Sequence, residues 1–229
     1  LAFQMRLDPM NIKLRELVKA GAIGQVGYIR RRHCLSVLFS EGFINGGTRW
    51  HIDPVANMGM FMDDASHAAD FVLWVMGMPV SVSAEIGNTL NEVAADNTGV
   101  ATYRWADGAF GTVMHSSVVW AAENTCEVYG DQGVIIQNHD DGPSTAFKPP
   151  HPVGLKLWTK ETGGWEIFDF ELPPQHGARI SNVARHAVDF LKGEREPICT
   201  FAEGEQSSQM ILGAYRSSQE GCRVTLPME

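Results

Sequence analysis

The residues best suited to acid–base chemistry lie together in one short segment: Asp63, Asp64, His67 and Asp70. Side chains at positions i and i+4 share a helix face, so Asp63 and His67 are predicted neighbours, with Asp64 one step around. A carboxylate beside an imidazole fixes its tautomer and raises its basicity, as a general acid or base requires. Apolar residues surround the segment: Met58, Met60, Phe61, Met62, Phe71, Leu73 and Trp74. Ionisable groups in such a helix are costly unless they line a cleft, so the segment is a candidate site.

Two other interpretations of this segment are open. Acidic residues are favoured in the first turn of a helix, so the carboxylates are also consistent with a solvated helix start. An Asp and a His at i and i+4 can also share a divalent metal ion. The sequence offers no obvious third ligand, and we therefore predict no metal site.

Two flanking segments could complete a binding site. Arg49, Trp50 and His51 precede the acidic segment and could form the lip of a sugar-binding site, because an aromatic face suits the C–H surfaces of a sugar and a guanidinium suits its hydroxyls. Equally, Trp50 could belong to the core and His51 could be solvated. His176 lies in a predicted loop, where functional residues are common, although a helix-capping role explains it equally well. We predict that Arg49, Trp50, Asp64 and His176 contact the substrate.

The elements that would position these residues follow from local signals. Asp8 and Pro9 are typical of a helix start and Gly21 of a helix end, so a helix to Ala20 is predicted, after a strand at residues 1–6. Residues 23–38 alternate as a strand, and residues 40–57 are predicted to be a polar loop. Residues 59–75 are predicted to form the helix that carries the acidic segment.

The rest of the chain is predicted to be a sheet closed by two helices. An antiparallel meander with Asp-Gly and Gln-Gly turns is expected, with strands at residues 80–86, 97–105, 109–117, 124–130 and 134–137. His115 lies within this meander and could face either side. Later elements are strands at residues 155–159 and 165–172 and helices at about 179–192 and 203–222. The predicted fold is α+β: an open, mostly antiparallel sheet with helices on one face.

Composition and charge exclude several classes of partner. The 229 residues carry a net charge of −9, which argues against nucleic acid and anionic membranes, because binding phosphate needs a basic face. The run Arg30-Arg31-Arg32 lies on a predicted strand, where successive side chains point to opposite faces. No apolar run approaches the roughly 20 residues that span a bilayer. With four dispersed cysteines and no signal-like start, we expect a cytoplasmic protein.

Nucleotide-binding fingerprints are absent from the sequence. There is no GxGxxG after a strand and no GxxxxGKS or GxxxxGKT, so cofactor-binding residues are not assigned. The chain opens on an apolar segment, Leu1-Ala2-Phe3, with no initiator Met, which predicts a segment upstream.

Several short segments occur in a distinctive order and spacing. They are residues 5–9 (MRLDP), 17–26 (LVKAGAIGQV), Trp50, 63–70 (DDASHAAD), 73–79 (LWVMGMP), 105–109 (WADGA) and 128–133 (VYGDQG). Together these segments resemble the Gfo/Idh/MocA family, which includes glucose–fructose oxidoreductase and inositol dehydrogenase. The resemblance extends over essentially the whole chain.

The resemblance implies a two-domain enzyme, with an N-terminal Rossmann domain followed by a second domain with an open sheet. Residues 1–22 would be a remnant of the Rossmann domain, its last strand and helix, and residues 23–229 the substrate-binding and catalytic domain. The implied activity is an NAD- or NADP-dependent oxidation or reduction of a secondary hydroxyl or keto group of a sugar, cyclitol or related polyol. The chain alone is expected to be inactive and not to bind the cofactor.

The resemblance also assigns roles to residues. The family's Asp-x-x-x-His pair falls on Asp63 and His67, the pair that helical spacing also selects. By resemblance, His67 is the acid/base at the reacting hydroxyl, and Asp63 orients it or binds a neighbouring hydroxyl. Two positions depart from the family's pattern: Ala65 replaces the usual glycine, and Asn57-Met58-Gly59 replaces a glycine-rich run. These departures leave the identity of the substrate open.

Two other functions fit the same scaffold. One is an NAD-dependent glycosidase or lyase that uses transient oxidation to labilise a substituent. The other is a cofactor-free binding or assembly domain. Family members look like dimers or tetramers that pair their open sheets, so a homodimer or homotetramer through the open sheet face is expected.

Overall fold

A single open sheet forms the centre of the protein. The computed structural model describes residues 1–120, 124–137, 154–171 and 176–228. Within these ranges the sheet has nine strands: β1 (Val26–Cys34), β2 (Ser81–Gly87), β3 (Thr98–Arg104), β4 (Phe110–Ser116), β5 (Thr125–Gly130), β6 (Gly133–Gln137), β7 (Leu155–Thr159), β8 (Trp165–Phe168) and β9 (Val224–Thr225). Their order across the sheet is β8-β7-β6-β5-β1-β4-β3-β2-β9.

The position of β1 corrects the predicted meander. β1 lies between β4 and β5, parallel to β4 and antiparallel to β5. The other pairs in the sheet are antiparallel, as predicted. The predicted turns at Asp107-Gly108 and Gln132-Gly133 do join neighbouring strands, β3 to β4 and β5 to β6. No such tight turn joins β4 to β5, so local turn chemistry did not force that pair to be neighbours.

The helices differ from the predicted ones mainly between β1 and β2. They are α1 (Pro9–Lys19), α2 (Glu41–Asn45), α3 (Pro54–Asn57), α4 (Met60–Asp63), α5 (Ala65–Met76), α6 (His176–Leu191) and α7 (Phe201–Glu220). The predicted loop at residues 40–57 contains the short helices α2 and α3 and a 3₁₀ turn, Arg49–Ile52. The predicted helix at 59–75 is instead two helices that are interrupted at Asp64. None of the described helices is long and apolar enough to cross a membrane.

The predicted strand at residues 1–6 is wrong. Residues Gln4–Leu7 form a 3₁₀ helix whose backbone groups bond locally. The amide of Arg6 donates to the carbonyl of Phe3, and the Met5 carbonyl accepts from the amide of Asp8 and from the side chain of Asn11. The segment lies on the helical layer, where these local bonds, not a neighbouring strand, satisfy its backbone.

The helices cover one face of the sheet, as predicted. Met5, Met10 and Leu14 from the start of the chain are buried in the same core as Phe71 of α5 and Met210 of α7. Two buried side chains of the sheet bond to this layer. The hydroxyl of Tyr103 donates to the Met210 carbonyl at 3.2 Å, and the indole of Trp105 donates to the Gly77 carbonyl at 2.9 Å.

Two buried ion pairs fasten the first residues to the helices. Arg6 donates two hydrogen bonds to Asp70, at 3.0 and 2.7 Å, and one to Glu203 at 2.6 Å. Arg179 of α6 pairs with Asp8, which begins α1. Because a buried charge is stable only with its partner, these pairs fix residues 1–8 against α5, α6 and α7.

Candidate active site

The start of α4 is built from residues distant in the chain. Asp96, which follows β2, accepts a hydrogen bond from the Phe61 amide at 2.7 Å and one from the Tyr215 hydroxyl at 2.7 Å. It therefore satisfies an amide of the first helical turn that has no partner within the helix. A Cβ at Gly59 would collide with the Asp96 carboxylate, so this position requires glycine.

Asp63, the last residue of α4, pairs with His51. Its Oδ2 lies 2.7 Å from the His51 Nδ1, and both side chains remain partly exposed. A carboxylate accepts hydrogen bonds, so the proton of the neutral His51 ring is on Nδ1 and Nε2 is left as an acceptor. The pair presents an oriented imidazole at the surface.

Trp50 and Arg49 border this pair. The Trp50 ring stacks on the His51 ring with 3.6 Å between centroids and is 54% exposed. Trp50 is therefore outside the core, and it forms an apolar surface next to a polar one. Arg49 is also exposed. Both residues lie next to His51, which is bonded to Asp63 of α4.

His67 lies on the first turn of α5 and is half-buried, so it is not part of the hydrophobic core. Its ring centroid is 6.0 Å from that of Phe3 and 6.1 Å from that of His33. The Ser66 hydroxyl donates to the Asp63 carbonyl at 2.7 Å across the helix interruption. His67 therefore faces both the first residues of the chain and the end of β1.

Two buried histidines lie behind His67, on adjacent parallel strands. His33 of β1 and His115 of β4 have ring centroids 6.2 Å apart. Burial lowers the pKa of His33 well below its usual value, and the nearby His67 lowers it further. Burial lowers the pKa of His115 to about 4. Both rings are therefore neutral at physiological pH.

Asp64 lies at the interruption between α4 and α5. Its Oδ2 is 3.4 Å from the Ser117 hydroxyl, which is itself 2.9 Å from the Nε2 of His115. Burial raises the pKa of Asp64 well above its usual value, the charge of Asp63 raises it further, and the contact with Ser117 lowers it. Two adjacent carboxyl groups thus have different environments.

These groups gather at one end of the sheet. His33 and His115 lie near the carboxyl ends of β1 and β4, which are parallel neighbours. A cavity of about 520 Å³ lies at the opposite end of the same strands, lined by Tyr28, Tyr129 and the turns at Asp107 and Asp131. That cavity is remote from the acidic segment, and we do not assign the chemistry to it.

The remaining predictions concern His176, Asp70 and a possible metal site. His176 is the first residue of α6 and not part of a loop, and its side chain lies outside the described atoms. Asp70 belongs to the buried pair with Arg6 and not to the exposed site. In the described ranges, no group of three or more His, Cys, Asp or Glu side chains is arranged to hold a metal ion.

Several site residues were not identified from the sequence. His51 was treated as solvated or as part of the lip, and its bond to Asp63 depends on the fold of residues 46–59. The sequence does not single out His33, although it lies one residue before the end of β1, which ends near the site. The alternation His115-x-Ser117 places both side chains on one face and could have suggested a shared partner.

The chain belongs to the Gfo/Idh/MocA family. The model of the GFO/IDH/MocA C-terminal domain matches residues 11–136, more than half of the chain. No curated protein matches the sequence. The family assignment agrees with the resemblance seen in the sequence.

Solved structures share the fold. The WlbA dehydrogenase from Bordetella pertussis, in complex with NADH and UDP-GlcNAcA, has 20% identity and a TM-score of 0.71, covering 96% of this chain and 60% of its own. An oxidoreductase from Agrobacterium radiobacter, in complex with NAD+, L-tartaric acid and magnesium, has 17% identity and a TM-score of 0.77, covering 97% and 63%. The aldose-aldose oxidoreductase from Caulobacter crescentus, complexed with glycerol, has 20% identity and a TM-score of 0.75, covering 97% and 62%. The chain therefore spans less than two thirds of these proteins.

Proposed function

We propose that this chain is the substrate-binding and catalytic part of an NAD(P)-dependent oxidoreductase that acts on a secondary hydroxyl or keto group of a sugar, cyclitol or related polyol. The observations that carry the proposal are the half-buried His67, whose ring lies 6.0 Å from that of Phe3, and, four residues before it in the chain, Asp63, which bonds His51 beside the exposed Trp50. Family membership supports the reaction class. The similar structures with bound NADH, NAD+ and glycerol support the type of cofactor and substrate.

His67 is proposed as the acid/base. When an alcohol is oxidised, its carbon loses a hydride and its oxygen loses a proton, and the C–O bond becomes C=O. The bound nicotinamide would accept the hydride. His67 would accept the hydroxyl proton and would return it in the reverse reaction. The contact with Phe3 supports this role, because it places the imidazole beside residues 1–22, where a preceding domain would join.

The Asp63–His51 pair is proposed to bind the hydroxyl next to the reacting one. With a proton on Nδ1, His51 accepts a hydrogen bond at Nε2, and the second oxygen of Asp63 accepts another. Trp50 offers its exposed face to the C–H surface of the ring. Arg49, Asp64 and His176 complete the proposed substrate contacts.

The domain division is proposed on the same grounds. Residues 1–22 would be the last part of a nucleotide-binding domain and residues 23–229 the second domain. The structure adds that Met5, Met10 and Leu14 of the first segment belong to the core shared with α5 and α7. We assign no cofactor-binding residue to this chain, and NAD and NADP are equally compatible with it.

A product assay tests the proposed reaction. The full-length enzyme is incubated with NAD+ or NADP+ and a panel of hexoses, uronic acids and cyclitols, and both reduced cofactor and carbohydrate products are measured. We expect reduced cofactor to accumulate in proportion to a keto product. Cleavage of a substituent without net cofactor reduction would instead establish the glycosidase or lyase alternative. Binding of a panel member with no turnover under either cofactor would indicate a binding domain.

The open face of the sheet is proposed to pair with a second copy of the chain. The strand register aligns one row of side chains across it: Trp165, Trp158, Val134, Tyr129, Tyr28, Phe110 and Arg104. Trp165, Phe110 and Tyr129 are each more than 40% exposed. An apolar row of this length is rarely left to water, and a two-fold axis would bury it against itself.

A further inference from the structure

A chain of hydrogen bonds leads from the backbone of β1 to the junction of α4 and α5. The His115 Nδ1 lies 2.9 Å from the carbonyl oxygen of His33, and its Nε2 lies 2.9 Å from the hydroxyl of Ser117. The same hydroxyl lies 3.4 Å from the Oδ2 of Asp64. His115 and Ser117 are fully buried, so water does not compete for these contacts.

The direction of each bond follows from what its atoms can do. A carbonyl oxygen only accepts, so the His115 Nδ1 donates to His33. A neutral His115 then has no proton on Nε2, which accepts from Ser117. The single Ser117 proton is thereby used, and the hydroxyl presents only lone pairs to Asp64. An ionised Asp64 would also present lone pairs, whereas a protonated Asp64 would donate to Ser117.

The chain has one other arrangement with the same number of protons. Asp64 could give its proton to Ser117 while Ser117 gives its own to His115, which produces a carboxylate and an imidazolium. Full burial of His115 disfavours the imidazolium, and the nearby His67 disfavours it further.

We propose that Asp64 holds a proton at neutral pH, as the terminal donor of the chain through Ser117 and His115. The groups that act on Asp64 are Asp63 on α4 and Ser117, which follows β4, and the chain continues from Ser117 to His115 of β4. The nearest charge is that of Asp63, and it opposes a second one.

A protonated Asp64 limits the junction of α4 and α5 to one carboxylate. The expected effect on turnover rests on the proposed function, whereas the inference that Asp64 carries a proton is independent of it. Oxidation places developing negative charge on the substrate oxygen, and a second carboxylate at the junction would oppose it. We therefore expect turnover to fall at alkaline pH, where Asp64 loses its proton.

Infrared difference spectra of the full-length protein test the proton directly. The band of a protonated carboxylic acid at neutral pH should be lost in Asp64→Asn and kept in the matched variant Asp63→Asn. In Ser117→Ala the band should remain but shift in frequency, because the acid loses its acceptor, while Ser117→Thr should restore the wild-type position. Titration of the wild-type protein to alkaline pH should also remove the band. This measurement needs no variant, so it tests the proposal even if a variant does not fold.

The pH profile supplies the second readout. Asp64→Asn cannot ionise, so its ratio of turnover at alkaline pH to turnover at neutral pH should rise severalfold above that of the wild type. Equal neutral-pH spectra for wild type and Asp64→Asn would overturn the proposal. So would a band lost in Asp63→Asn instead. A protein that shows the Asp64 band but no nicotinamide-dependent turnover would keep this inference and refute the proposed function.

Discussion

Replacing Arg6 by Met should expose the energetic role of the pair that fastens the first residues of the chain. The Arg6 side chain is 3% exposed and that of Asp70 is 1% exposed. Arg6 donates two hydrogen bonds to Asp70, one to Glu203 and one to the Ile198 carbonyl at 3.3 Å. Methionine fills most of the same volume, so the substitution removes charge and hydrogen bonds more than packing.

The expected cost follows from the partner that remains. Asp70 would be left as a buried carboxylate without its guanidinium, and removal of one member of a buried pair costs about 3–5 kcal/mol of the free energy of unfolding. Glu203 is much more exposed and can be hydrated, so its loss adds little. Replacing both Arg6 and Asp70 by apolar residues should recover most of the stability, because no unpaired charge remains.

The pH dependence separates charge from packing. Burial raises the pKa of Asp70 to about 6 against 3.8 for the free side chain, even though Arg6 opposes the shift. The native state therefore takes up this proton at a higher pH than the unfolded chain does, so acidification below about pH 6 relieves the cost of burying Asp70. Without Arg6 the pKa of Asp70 rises further, so the variant takes up this proton at a higher pH than the wild type does. The loss in Arg6→Met should therefore shrink as the pH falls toward about 6.

Urea unfolding of the wild type and variants, followed by tryptophan fluorescence, measures these differences. Arg216→Met, which breaks the exposed pair with Glu220, is the matched control and should cause no measurable loss. The reasoning would be refuted by a loss in Arg6→Met that is as small as in Arg216→Met. A loss that stays constant between neutral pH and about pH 5 would show that packing, not the charge of Asp70, is responsible.

Two further predictions concern the start of α4 and the open face. Gly59→Ala should lower the free energy of unfolding by about 1–3 kcal/mol, because the new methyl group displaces the Asp96 carboxylate from the helix start. The control Gly27→Ala should cause no such loss, because there is open space around Gly27. Urea unfolding compares the two variants. Phe110→Glu should shift the protein to a smaller species in light scattering, whereas Val55→Glu, at a position 95% exposed and away from the sheet, should leave its mass unchanged. A wild-type protein that is already monomeric at micromolar concentration would contradict the second prediction.

Features governed by local chemistry were predictable from the sequence. The start of α1 follows from Asp8 and Pro9, whose backbone angles suit a helix start, although the Asp8 side chain pairs with Arg179 and does not cap the helix. The two glycine-containing turns set the β3–β4 and β5–β6 pairs. Alternation of burial along β1 placed Arg31 in the interior and Arg30 outside, where it pairs with Glu127.

Features set by long-range contacts were not predictable. The position of β1 between β4 and β5 depends on pairing between residues far apart in the chain. The interruption at Asp64 has no glycine or proline to signal it. The apolar run at the start of the chain indicated a strand by composition, yet its backbone bonds are local. The partners of Asp63 and Asp64, His51 and Ser117, come from two separate segments, so sequence spacing identified the carboxylates but not their different environments.

The turnover of His67→Ala in the full-length enzyme tests the central claim most directly. With the polyol and cofactor that support the wild-type reaction, kcat should fall by roughly 10²–10⁴-fold, the usual contribution of a positioned general base. His51→Ala is the matched control, and it should raise the KM for the polyol more than it lowers kcat, because His51 is proposed to bind a neighbouring hydroxyl. The KM for the cofactor should change little in either variant. An unchanged kcat in His67→Ala would contradict the assignment of the acid/base to this site.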